Sequence, residues 1–264
     1  AQGANQYAPM TGVAPLREAI ADKTAELYGW QPDAGSEVTV TAGATEALFA
    51  AISALVRPGD EVVCFDPSYD SYAPAVTLAG GILKRIALQP PAFAVDWPAF
   101  AAALSPRTRL VIVNTPHNPT GAVFDAHDIE RLTALTRDTD IVILSDEVYE
   151  HVVFDGDIHH SMARYPQLAE RSVIVSSFGK TYHVTGWRVG YCLAPAALMD
   201  EIRKVHQFMV FSADTPMQHA FAAALANPQS YLGLAAFYQQ KRDLLASALQ
   251  DSRFELLPSR GSFF

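Results

Sequence analysis

From about residue 37 the chain alternates short apolar, β-rich runs with amphipathic stretches of helical period. The apolar runs predict strands over 37–41, 61–65, 82–87, 110–114, 141–145, 173–176 and 189–193. The amphipathic stretches predict helices over 14–27, 45–56, 71–79, 97–103, 126–136, 196–211, 216–226 and 231–249. Pro58-Gly59-Asp60 and Pro90-Pro91 punctuate the units as turns. Strands that alternate with helices pair in parallel and carry helices on both faces. The expected fold is therefore α/β: a mostly parallel sheet in a three-layer sandwich. The long helix from Tyr231 and a strand-like run over 254–257 read as the start of a second domain.

In such sheets ligands collect beyond the carboxyl ends of the strands. The first predicted strand is followed by Gly43-Ala44-Thr45, the second by Asp66-Pro67-Ser68-Tyr69, and the fourth by Thr115-Pro116-His117-Asn118-Pro119-Thr120-Gly121. The fifth runs into Asp146-Glu147-Val148-Tyr149, and the sixth into Ser177 and Lys180. Loops are polar anyway, so one or two such groups mean little. Five strands delivering groups that suit one ligand mean more.

The most informative of these groups is Lys180, in Ser177-Phe178-Gly179-Lys180, with Arg188 eight residues on in Gly186-Trp187-Arg188-Val189-Gly190. A lone lysine after a strand is ordinarily a solvated surface group. A lysine with a hydroxyl before it, an arginine after it and glycines on both sides suits an amine that binds an aldehyde beside a phosphate. That combination points to pyridoxal 5'-phosphate. Gly43, Ala44 and Thr45 open a helix whose free amides form an anion site, although an ordinary N-cap would look the same. Ser177 and the forked Arg188 suit phosphate oxygens; the alternative for Arg188 is a salt bridge at a strand edge. Asp146 ends an apolar strand, and a carboxylate buried there needs a cationic partner such as a protonated pyridine nitrogen. An isolated aspartate at this position would instead cap the next turn. Tyr149 and Asn118 are candidates to hydrogen-bond the cofactor's phenolic oxygen, against a core aromatic and a turn asparagine as the alternatives. Tyr69 is a candidate to stack on the ring, with core packing equally compatible with its spacing. Glu147 and Glu150 read as surface acids, and His159-His160 as solvated. His117 and His183 flank the site with no assigned role, and no metal-ligand spacing stands out.

Composition narrows the classes. Half of the 264 residues are hydrophobic, enough for a sizeable core in one large or two small domains. A net charge of −9 argues against a nucleic-acid surface. The longest apolar runs fall far short of a membrane span. Cys64 and Cys192 sit in apolar, strand-like contexts, which reads as two buried thiols of a cytoplasmic protein rather than a disulfide. The chain opens without Met and closes on Gly261-Ser262-Phe263-Phe264, which reads as a strand cut short in a piece of a longer protein.

Asn118-Pro119-Thr120-Gly121, Asp146-Glu147-Val148-Tyr149 and Ser177-Phe178-Gly179-Lys180 followed by Gly186-Trp187-Arg188-Val189-Gly190 resemble, in order and spacing, the class I aminotransferases of pyridoxal phosphate fold type I. The wording over 65–72 and 176–191 is most similar to bacterial methionine aminotransferases, relatives of the kynurenine transaminases. The resemblance implies transfer of an amino group from a methionine-like or aromatic amino acid to a 2-oxo acid through a Schiff base on Lys180. Lys180, Asp146 and Tyr149 become the catalytic set. Lys180, acting as the base, must be neutral, so burial and the nearby cation should depress its pKa. Tyr7, in Tyr7-Ala8-Pro9-Met10-Thr11-Gly12, is similar to the tyrosine that reaches the cofactor phosphate of the neighbouring subunit, which implies a homodimer with shared sites. The implied division is a partner-contacting segment 1–13, a large cofactor domain 14–228 and the start of a small domain 229–264. The lid segment and the arginine for the substrate carboxylate are expected outside this chain, and Arg260 does not match that arginine by motif. A β-lyase would share every residue named. A cofactor-sensing transcription regulator would need a basic DNA-binding segment upstream.

Overall fold

The computed structural model describes residues 3–264, so Ala1 and Gln2 of the predicted N-terminal segment lie outside the described residues. Seven strands form one sheet: β1 (Val38–Thr41), β2 (Glu61–Asp66), β3 (Ile82–Ala87), β4 (Thr108–Asn114), β5 (Val142–Asp146), β6 (Ser172–Ser177) and β7 (Gly190–Leu193). Their order is β1-β7-β6-β5-β4-β2-β3. All seven strands expected for the sheet form, with ends shifted by at most two residues.

Alternation along the strands sorts their side chains to the two faces. Val62, Cys64, Leu110, Ile112, Val142, Leu144, Val173 and Val175 pack on one face with α2 (Ala44–Leu55), α3 (Tyr72–Leu78) and α8 (Ala196–Met209). Val63, Phe65, Val111, Val113, Ile143 and Ile174 pack on the other. There they meet α1 (Ala14–Tyr28), α4 (Trp97–Ala103), α5 (Ala126–Thr136) and α9 (Thr215–Leu225), through Leu16, Ile20, Trp97, Phe100, Ile129, Leu132 and Phe221. The result is the expected three-layer α/β sandwich. Local chemistry fixes the helix ends. Asp125 and Asp128 form a reciprocal capping box on α5, and Asp96 and Asp214 cap α4 and α9. Gly29 ends α1 with a positive φ of 81°.

The sheet is mostly parallel as expected, and two other expectations are corrected. Strand β7 is antiparallel to both neighbours, β1 and β6. The stretch between β6 and β7 holds only a one-turn helix, α7 (Phe178–Thr181), and a 3₁₀ turn at Thr185–Trp187. Neither is long enough to cover the sheet face as the helix of a parallel crossover does. The helix expected over 231–249 is broken at Gly233 into α10 (Gln229–Leu232) and α11 (Leu234–Leu249). Residues 254–257 are not a strand: they have no ladder partner, and Phe254 is 73% exposed. After α6 (Pro166–Ala169), which the apolar pattern did not indicate, the chain enters β6 directly.

Candidate active site

The antiparallel β7 has a functional consequence. Its first residues lie at the edge where the parallel strands end, so Arg188 and Gly190 stand beside Ser177, the last residue of β6. Asn114 and Asp146, the last residues of β4 and β5, pair across the ladder at the same edge. Thr41 ends β1 and leads through Gly43 into α2. Asn114 and Asp146 line a cleft together with Ala44, Thr45, Leu48, Tyr69, Asn118, Val148, Tyr149, Ser177, Lys180 and Arg188. Nine of the residues singled out from the sequence therefore line one cleft, and Gly43 packs against it.

Glycine is required at two points of this wall. Gly43 has φ +83°, and a Cβ there would come within 2.8 Å of Arg188 Nη2. A Cβ on Gly190 would meet backbone atoms of Ala44, Gly43 and Ser176, each at 2.8 Å. The guanidinium and the start of α2 thus close on the same space. Gly43 gives α2 no side-chain cap, so the first helix amides face the cleft side unspent. Arg188 itself has φ +52° and donates from Nη1 to Thr185 O at 3.2 Å. The Ser177 hydroxyl accepts from Gly179 N at 3.2 Å.

The far end of the cleft is built around Asp146, which is 3% exposed. Its Oδ2 accepts from the Tyr72 hydroxyl at 2.7 Å, and the Val148 amide lies 3.4 Å from Oδ1. Burial pushes the Asp146 carboxyl up to about 6, against the lowering effects of Tyr72, the Val148 amide and Lys180. Burial and then Arg188 pull Lys180 below the ordinary lysine range, with Asp146 opposing. The Lys180 ammonium stands 5.7 Å from the Tyr149 ring centre and 5.4 Å from that of Phe263. Burial also raises the Tyr149 phenol well above its usual value. The Asn118 loop is anchored by its own amide on Asn114 Oδ1 at 2.7 Å, and Asn114 Nδ2 donates to Asp146 O at 2.9 Å. Tyr69 packs edge-on to Tyr72 with ring centres 5.6 Å apart.

Tyr7 stands apart from the cleft: it is 83% exposed and packs edge-on against Phe211 at 5.4 Å. Two readings of acidic and basic residues are overturned. Glu147 and Glu150 are buried, not surface acids. Glu147 accepts from Ser145 Oγ at 2.8 Å and Met162 N at 3.0 Å, and pairs with His159 Nε2 at 2.8 Å, so His159 is buried rather than solvated. Burial takes His117 down to about 4, and its Nδ1 meets Thr120 Oγ1 at 2.7 Å, which makes it a neutral loop brace. The sequence reading missed Tyr72, Asn114, Leu48 and Val148. Tyr72 had one signal: it lies three residues, about one helical turn, beyond Tyr69. Among the described residues, no group of three or more His, Cys, Asp or Glu side chains is arranged to hold a metal ion. No helix among them is long and apolar enough to cross a membrane.

The site fits a ligand with an anionic end and a cationic end. The α2 amides, Ser177 and Arg188 carry donors that suit the first. Asp146, a buried carboxylate with no cation in hydrogen-bonding contact, suits the second. Lys180 lies between them.

Comparison with known proteins bears on this geometry. The family profile for aminotransferase class I and II matches residues 1–264. The methionine aminotransferase of Escherichia coli (strain K12) is 64% identical over all of this chain, which spans 69% of that protein. A probable N-succinyldiaminopimelate aminotransferase of Mycobacterium tuberculosis is 40% identical over the whole chain, covering 67% of its own length. A solved Escherichia coli structure with a methionine aminotransferase function superposes with a TM-score of 0.97 over 99% of this chain and 69% of its own. With a family match over its whole length and relatives well above 30% identity, the chain belongs to the class I and II aminotransferases, enzymes that move an amino group from an amino acid to a 2-oxo acid.

Proposed function

We propose that the cleft takes pyridoxal 5'-phosphate and that the enzyme transaminates amino acids with unbranched apolar or aromatic side chains, methionine foremost. The observation that carries the cofactor is the pairing of an uncompensated buried Asp146 with a depressed Lys180 across a cleft whose other end is an amide-and-arginine cradle. Methionine as substrate rests on the 64% identity to the Escherichia coli enzyme of that name. Pyridoxal phosphate, when bound, supplies an electron sink for charge that develops at the substrate Cα.

The residues divide the remaining work. Gly43, Ala44, Thr45, Ser177 and Arg188 hold the phosphate through amides, a hydroxyl and a fork-shaped cation. Asp146 holds the ring nitrogen in its charged form, and Tyr72 steadies the carboxylate. Asn118 and Tyr149 direct their side chains to the phenolic oxygen, and Tyr69 covers a ring face. Lys180 would hold the cofactor at its aldehyde, and its Nζ, as a neutral amine, would be the group placed to take the Cα proton. Its lowered pKa favours that form relative to an ordinary lysine. The exposure of Tyr7 leaves it free to serve the neighbouring subunit of a homodimer, in a segment 1–13 ahead of a cofactor domain 14–228 and a further unit from 229. Two free buried thiols, Cys64 and Cys192, support a reducing cytoplasmic setting.

Borohydride reduction of the full-length holoenzyme followed by peptide mapping tests the cofactor assignment. The expected pyridoxyl adduct is on Lys180; an adduct on another lysine overturns it. A product assay with methionine and a 2-oxo acid tests the reaction. New amino acid formed one-for-one with the methionine-derived oxo acid supports transamination, whereas release of ammonia or a thiol without amino transfer supports a lyase.

A further inference from the structure

Glu150 follows Tyr149 in the chain but does not line the cleft. Its Oε1 accepts from Lys23 Nζ at 2.6 Å, Ser176 Oγ at 2.7 Å and the Tyr191 hydroxyl at 3.2 Å. Its Oε2 accepts from the Tyr28 hydroxyl at 2.5 Å. Lys23 also donates to Tyr191 at 2.8 Å. Lys23, Ser176, Tyr191 and Glu150 are all buried. The donors come from three elements: Lys23 and Tyr28 from α1, Ser176 from β6 and Tyr191 from β7.

A buried ion pair is poor support for stability, because desolvation consumes most of the Coulomb gain. Here the two effects are visible on each partner. Burial pulls the Lys23 ammonium down, but Glu150 and Tyr191 carry it above its ordinary value. Burial pushes Glu150 up, but Lys23 leads a set of groups that hold it well below the usual carboxylate range. His151 is kept neutral by burial, down to about 3, so Lys23 is the counter-charge of Glu150. An apolar plug of equal volume would stabilise the layer as well. What it would not do is fix direction.

The partners of Glu150 are chain neighbours of the cleft groups. Glu150 is next to Tyr149, and Ser176 is next to Ser177. Strand alternation turns the two serines to opposite sides. Tyr191 follows Arg188 by three residues, across the glycine that touches the α2 cradle. We propose that Glu150 and Lys23 are positioning residues, a buried pair that ties α1, β6 and β7 together behind the cleft and thereby sets where Tyr149, Ser177 and Arg188 stand. The inference rests on the pyridoxal phosphate reading of the cleft.

The test uses full-length apoprotein, with pyridoxal phosphate and pyridoxal as probes and thermal unfolding recorded in parallel. Ser176→Ala removes one donor from the hub and touches nothing in the cleft. Loss of one hydrogen bond to a charged group predicts about tenfold weaker pyridoxal phosphate binding and a smaller loss for pyridoxal, which has the oxygen that Tyr149 serves but no phosphate for Ser177 and Arg188. Glu150→Gln strands the Lys23 charge and is expected to unfold readily, so it is paired with Lys23→Met. The double variant recovers folding but not phosphate affinity when both are measured well below its unfolding temperature. Equal pyridoxal phosphate affinity in wild type, Ser176→Ala and the double variant overturns the proposal, whatever the unfolding temperatures do. Failure of the wild type to bind pyridoxal phosphate overturns the cofactor reading instead.

Discussion

The cleft and the buried hub behind it are built from adjacent residues and obey opposite rules. In the hub, Glu150 accepts four hydrogen bonds and the nearby Glu147 accepts three. In the cleft, Asp146 has one strong side-chain donor, and Arg188 makes one hydrogen bond to a backbone carbonyl. Both regions hold buried charge, but only the hub compensates it internally. Buried polar groups without partners are costly in a folded chain. A ligand can complete them, although His151 Nε2 and His159 Nδ1, beside the hub, also lack a partner. The contrast separates groups kept for binding from groups kept for placement, although both read as polar residues near strand ends.

The largest expected break in this contrast is Lys180→Ala. The lysine has no hydrogen-bonded partner to lose, so unfolding of the full-length enzyme should be unchanged within about 0.5 kcal/mol. Loss of both the attachment point and the base should reduce turnover by at least about 10⁴-fold. Single-turnover formation of the oxo acid measures it. A drop of less than tenfold removes Lys180 from the chemistry.

Asp146→Asn should show the opposite signs of function and stability. Turnover should fall by about 10²–10³-fold, the range of one lost electrostatic contact in a catalytic site. Apoprotein stability should rise at pH 8. The folded carboxyl binds its proton more tightly than the unfolded one, since its pKa is raised from 3.8 to about 6. Stability is therefore fullest below pH 4 and is lost as pH climbs through 6. Two units correspond to about 3 kcal/mol at pH 8. The variant escapes that loss, so its unfolding temperature should exceed that of wild type at pH 8 and match it at pH 4. Saturating pyridoxal phosphate should remove the difference. A variant no more stable than wild type at pH 8 shows that Asp146 is compensated within the chain.

Arg188→Lys sharpens the same contrast at the anionic end. Lysine keeps the charge but loses the fork. Pyridoxal phosphate binding should weaken by about tenfold, with the affinity for pyridoxal unchanged, which equilibrium titration of the apoprotein resolves.

How much of this was legible follows from the same contrast. The strands were readable because their apolar runs are short and bounded, and the cleft residues because they follow those runs directly. Lys180, Asp146, Ser177 and Arg188 needed only position after a strand. The hub was not readable. Glu150 and Lys23 are 127 positions apart, and Lys23 lies in a helix among Glu18, Asp22 and Glu26, where a lysine looks solvated. His159 in a polar loop gave no sign that Glu147 would bury it. Periodicity tells which residues face inward when they are apolar. It is silent when an inward residue is charged and its partner is distant. The direction of β7 was not readable either, since the twelve residues between 177 and 190 are as many as the shortest crossover needs.

The smallest expected effect lies where the cleft meets the apolar core, at Tyr72. Its ring belongs to the apolar layer with Ala75 and Val76, while its hydroxyl is the strong donor to Asp146. Tyr72→Phe keeps the ring and deletes the donor. The hydroxyl holds the Asp146 pKa down against burial, so its removal raises that pKa further. The ionised form needed to hold a cationic ring nitrogen then becomes scarcer as pH falls. The acidic limb of the kcat/KM profile should move to higher pH, while the rate on the plateau at pH 8 falls by about threefold to tenfold, the range of a typical single hydrogen bond. The phenol, pushed far above its ordinary pKa by burial, stays protonated throughout, so it cannot itself produce the limb. A limb that moves to lower pH shows that Tyr72 does not stabilise the carboxylate. A profile that drops uniformly without moving assigns Tyr72 to packing alone, and moves it from the cleft side of the comparison to the core.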